Sequence, residues 1–133
     1  MRRRDEHGPG TPEDWLLRAK SNLARLSSPK PAGVLWEDVC YDSQQAAEKA
    51  LKAMLCYKKI GFRPVHDIGE LIDALVKGGV PVPNDVREAS VLTVYAVQTR
   101  YPGDYERVTE EEFLDALKMA GKVVSWAEKN VNG

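Results

Sequence analysis

The sequence predicts an all-α protein, an antiparallel four- or five-helix up-and-down bundle. Three observations lead there. Apolar residues recur at helical spacing in successive segments, and cap-and-stop signals divide those segments. A single stretch has strand-like composition, and a lone strand would leave its backbone groups without partners.

Thr11-Pro-Glu-Asp14 opens the first helix, with a capping hydroxyl, proline at the first helical position and acids facing the positive end of the dipole. Trp15, Ala19, Leu23 and Leu26 then share one side, and the Ser28–Gly33 segment stops the helix. The second helix is expected from about Val34 to Ile60, with Gly61 as its terminator. At 100° per residue, Asp38, Asp42, Gln45, Lys49 and Lys52 form a polar stripe opposite Trp36, Cys40, Ala47, Ala50, Leu51 and Met54. Its alanines, 46, 47, 50 and 53, carry so little bulk that neighbouring helices can approach closely.

Asp67-Ile-Gly-Glu70 has the spacing of a capping box and opens a short third helix with Ile68, Leu71, Ile72 and Leu75 inward. Gly78 to Pro83 ends it, and Asn84 or Asp85 caps a fourth. That fourth segment holds the strand-like stretch, Val91 to Thr99, and is read as a helix that is apolar nearly all round. Val86, Ala89, Leu92, Ala96 and Val97 take one side; Val91, Val94 and Tyr95 take the other. A helix with two faces to bury in so small a bundle points to a subunit interface, and hence to a homodimer. Thr109-Glu-Glu-Glu112 caps the fifth helix, whose inward stripe is Phe113, Ala116, Leu117, Ala120, Val123, Val124 and Ala127.

A chain of 133 residues makes one domain with room for a core. Residues 1–10 read as a flexible basic leader and 11–131 as the helical domain. The leader has the basic start of a signal peptide but no apolar segment behind it. Net charge is −1, so bulk electrostatics call for no polyanionic partner, and any RNA contact must come from local cations. No run of 18 apolar residues offers a membrane span. Cys40 and Cys56 fall on one expected helix, about 24 Å apart along its axis, beyond disulfide reach. This suits a reducing cytoplasm. Neither cysteine belongs to a metal-ligand pattern, and no cofactor is called for.

Two stretches carry the chemistry. Thr99-Arg-Tyr-Pro-Gly-Asp-Tyr105 is a helix exit: Tyr101 precedes a proline and must leave the α region, and Gly103 permits a sharp turn. Arg100 there admits two readings. Its planar fork beside Tyr101 and Tyr105 suits phosphate and stacked bases; alternatively it satisfies the last helix carbonyls and pairs with Asp104. The second stretch is Gln44 to Ala53, in which Gln44 shares a helix edge with Leu51 and Leu55, so its amide faces protein and needs partners. Glu48 and Lys52 read as an i,i+4 helix pair worth about 0.3 kcal/mol. His66, in the Pro64–Asp67 turn, is either a general base or ligand contact oriented by Asp67, or a structural histidine bonded to backbone.

These stretches, in this order and joined by that turn, resemble the HEPN family of small helical domains, and the likeness spans roughly residues 12 to 130. Members often stand beside a minimal nucleotidyltransferase in prokaryotic toxin–antitoxin pairs, and several branches are ribonucleases. The resemblance therefore implies an RNA- or nucleotide-directed module with a nucleotidyltransferase partner, with Arg100, Tyr101, Asp104, Tyr105, His66, Asp67 and Gln44 as ligand-binding candidates. Two alternatives stand beside it: a non-catalytic adaptor that only binds its partner, and a metal-independent ribonuclease with a displaced base. HEPN ribonucleases carry an Arg followed four to six residues later by His. Arg100 matches that Arg, but Tyr105 or Glu106 stands where the His belongs and no His follows. A phenol, with a pKa of about 10, is a poor base at neutral pH.

Overall fold

The computed structural model describes residues 10–96 and 106–132, and all regular structure within them is helical. The chain forms α1 (Pro12–Ala24), α2 (Trp36–Tyr57), α3 (Ile68–Lys77), α4 (Asn84–Arg87) and α5 (Glu110–Asn132), with a 3-10 helix (Glu88–Ala96) continuing directly from α4. Helix α2 is central. It packs most extensively on α5 and α1, and its remaining surface is covered by α3 and the 3-10 segment. Ala46, Ala47, Ala50 and Ala53 are all fully buried along it, so the small-residue faces serve as the close-approach surfaces their lack of bulk permits.

The caps fall where the sequence places them. Thr11 Oγ1 accepts from Asp14 N, Asp67 Oδ1 from Glu70 N, and Thr109 Oγ1 from Glu112 N. The box at α3 is only half formed, because the Glu70 carboxylate is engaged by Arg63 and does not reach back to the cap. Ile68, Leu71, Ile72 and Leu75 are buried, as are Phe113, Ala116, Ala120, Val123, Val124 and Ala127 of α5.

Two expectations need correction. Helix α2 is shorter than 34–60, and its terminator is Lys59, not Gly61. Lys59 takes the left-handed conformation (φ 57°), while Ile60 N bonds to Leu55 O and Lys59 N to Cys56 O, a Schellman arrangement on a non-glycine residue. The fourth helix is α-helical for one turn only and then tightens to 3-10, consistent with crowding by its run of β-branched residues. The polar stripe of α2 meets α1, with Asp42 and Lys52 buried, Gln45 and Lys49 half-buried and Asp38 exposed. There Asn22 donates to Asp42 at 3.1 Å and Lys49 donates to Asn22 at 2.9 Å. Among the described residues no buried side-chain nitrogen or oxygen lacks a hydrogen-bond partner, as a low-dielectric interior requires.

Cys40 is buried and forms no disulfide, and burial pushes its thiol up to about 11, so it acts as a small apolar filler and not a nucleophile. Cys56, also on α2, forms no disulfide either. Among the described residues no helix is long and apolar enough to cross a membrane.

Candidate functional site

Four side chains converge where the loop before α3 crosses the middle of α2. Gln44, Glu48 and Lys52 are spaced i, i+4, i+8, so they stack along one edge of α2. That edge is covered, and all three are buried. Glu48 is the hub. Its Oε1 accepts from Gln44 Nε2 at 2.9 Å and lies 2.9 Å from His66 Nδ1; its Oε2 accepts from Lys52 Nζ at 2.9 Å. Gln44 Nε2 also reaches the backbone carbonyl of His66 at 3.4 Å, and its own carbonyl accepts from Gln45 at 2.8 Å. The Lys52 ammonium also sits 5.3 Å from the centroid of the Trp15 ring, a cation–π contact that ties α1 into the network.

The electrostatics follow from this geometry. Burial alone raises the pKa of Glu48, but the hydrogen bonds from Lys52, Gln44 and His66 together outweigh it, and the carboxyl is held below its usual range. An ionised Glu48 accepts a proton-bearing Nδ1 from His66, which fixes the ring's orientation and leaves Nε2 pointing outward. The His66 side chain is 67% exposed although its partner carboxylate is only 3% exposed. The result is an imidazole anchored at one nitrogen and open to solvent at the other.

Asp67 does not orient His66. Its carboxylate caps α3, and the orienting role falls to Glu48, eighteen residues earlier in the chain. Gln44 faces protein as its position on the helix implies. Glu48 and Lys52 are not the surface pair their spacing suggests, since both are buried and their bond to each other is one part of a larger network. Sequence reasoning underrated these two residues and Trp15. The available signal was the helix edge itself: Glu48 lies one turn from Gln44 and beside Leu51 and Leu55, so a burial argument made for Gln44 extends to it. Arg100, Tyr101, Asp104 and Tyr105 lie outside the described residues, as do Val97 and residues 1–9.

The HEPN domain model matches residues 12–130, and the chain belongs to the HEPN domain family. Two solved structures are similar to it. TT1696 from Thermus thermophilus is 32% identical, with a TM-score of 0.73 over 90% of this chain and 98% of that one. ST0689, an archaeal HEPN homologue, is 27% identical, with a TM-score of 0.70 over 91% of this chain and 98% of that one. No curated protein matches the chain.

Proposed function

We propose that this HEPN-domain protein is an RNA- or nucleotide-directed module, with His66 as a ligand-contacting group and a minimal nucleotidyltransferase as its protein partner. The observation that carries the reading is the anchored, outward-facing imidazole. His66 spends one ring nitrogen on Glu48 and, with its side chain 67% exposed, keeps the other available to a ligand. Two side chains, Gln44 and Lys52, hold the supporting carboxylate in place, which is the supporting-shell arrangement that presents a polar group at low reorganisation cost. Arg100, Tyr101, Asp104 and Tyr105 complete the proposed contact set through phosphate gripping and base stacking. The exposed faces of Val91 and Val94, 59% and 46% accessible, support a homodimer through the 3-10 segment.

The test is binding of labelled RNA and of free nucleotide at several salt concentrations. His66→Ala and Arg100→Ala are each expected to weaken binding by about 1–3 kcal/mol, the range for losing a charge-assisted contact. Arg100→Lys should recover only part, because an ammonium lacks the bidentate fork. No measurable binding of RNA or nucleotide by wild type would leave the adaptor reading, in which the protein binds only its partner; unaltered affinity in both alanine variants would remove His66 and Arg100 from the contact set.

The same dyad favours a second reading, ribonuclease activity with a displaced base. Metal-independent RNA cleavage needs a group to take the 2′-hydroxyl proton, and His66 Nε2, with Glu48 behind it to stabilise the imidazolium, has the required form. Chelator-resistant cleavage lost in His66→Ala would select this reading. Binding without cleavage selects the first.

A further inference from the structure

A second candidate site lies in a groove between α4 and the C-terminal half of α5. None of its lining residues belongs to the His66–Glu48 network. Lys118, Lys122, Trp126 and Lys129 follow one another at spacings of four, four and three residues, which sets them along one face of α5. The three lysines are exposed, the indole is half-buried, and Asp85 is the one acid in the lining.

Two features of this face cost stability and have no structural return within the chain. Lys118 and Lys122 repel each other at i,i+4, and among the described residues neither they nor Lys129 make an ion pair. Gly121 sits in the helix interior, where glycine is disfavoured, although a Cβ there would meet nothing within 4 Å. No packing demand excludes alanine. What glycine does provide is a groove wall that lets a ligand approach the helix backbone. Trp126, half-buried and packed against the core, contributes its indole to the groove lining between Lys122 and Lys129.

We infer that this groove binds a single-stranded nucleic-acid segment, with a base against Trp126 and phosphates on Lys118, Lys122 and Lys129. The lysines span about 16 Å of helix axis at 1.5 Å per residue, room for several nucleotides. Charge together with an aromatic platform is the combination that non-specific single-strand recognition uses. The inference does not depend on the role proposed for His66, because it rests on different residues.

The experiment is a titration of fluorescent oligouridylate, and of oligodeoxyuridylate of the same length, into the full chain across a salt series. Wild type is compared with the Lys118→Ala/Lys122→Ala double variant and with Gly121→Ala, each made also in a His66→Ala background. The double variant should lose affinity by about tenfold or more, and its salt dependence should flatten by about 1.4 in log–log slope, the share of two phosphate contacts on a single strand. Gly121→Ala should raise the melting temperature and still bind several-fold more weakly, a split that a purely structural glycine would not give. Both effects should persist in the His66→Ala background, and a preference between the two oligomers reports whether the 2′-hydroxyl is read. Unchanged affinity and salt slope in the double variant and in Gly121→Ala would overturn the inference, whatever His66→Ala does. Displacement of both oligomers by polyglutamate at lower concentration than by unlabelled oligouridylate would also overturn it, in favour of an acidic protein segment.

Discussion

Glu48 shows how one buried charge can organise a site, and it makes the account testable at the level of a single proton. Its carboxylate satisfies Lys52, Gln44 and His66 at once, so removing it strands a buried ammonium. Glu48→Ala should therefore destabilise the fold by about 3 kcal/mol or more, the usual result of breaking a buried pair from one side, measured by urea unfolding. Because folding lowers the Glu48 pKa, the carboxylate contributes stability that is fully present above its ordinary value of 4.5. That contribution is lost as the pH falls through the lower, folded value. Wild type should lose stability on acidification below about pH 4.5 more steeply than Glu48→Gln, which melting curves at a series of acidic pH values will show. His66 is the contrast. Its ring is mostly exposed and makes a single bond, so His66→Ala should cost only about 1 kcal/mol, well below the effect of Glu48→Ala.

At the scale of elements, the ends and the exceptions carry the information. Helix α3 closes with Gly79 in the left-handed region (φ 88°) and Val80 N bonded to Leu75 O, while α2 uses the same closure with Lys59 in the glycine position. Lys59→Gly should relieve the left-handed strain of an L side chain and stabilise the protein by about 0.5–1 kcal/mol, net of the greater freedom gained by the unfolded chain; urea unfolding of the two proteins checks it. Most of the helical plan was legible because caps and apolar spacing are local: Thr11, Asp67 and Thr109 all act as read, and the α3 and α5 stripes are buried. The end of α2 was not legible, since Gly61 is the better residue for a stop and the chain turns two residues earlier, at Lys59. Nor was the 3-10 geometry after Arg87, because a short β-branched apolar run carries no periodicity that separates the two helix types. Within the site, Gln44 was legible from its helix edge. The Glu48–His66 bond was not, because it joins residues eighteen apart that no local rule connects.

Among the described residues the molecule is a bundle wrapped around α2, with two polar networks buried along that helix and an apolar face left open on the 3-10 segment. If that face is a homodimer seam, Val94→Glu should shift the chain from dimer to monomer in sedimentation at micromolar concentration without unfolding it, since Val94 is half-exposed in the single chain. A wild-type protein that sediments as a monomer would remove the seam. The central claim concerns His66, held by Glu48 to meet an RNA or nucleotide ligand, and one titration bears on it most directly. Labelled RNA and nucleotide are titrated into wild type and His66→Ala at matched salt, with melting temperatures recorded for both. The account predicts affinity reduced about fivefold or more in His66→Ala, with a melting temperature lowered by only about 4 °C. Equal affinities for the two proteins, with both folded, would contradict it.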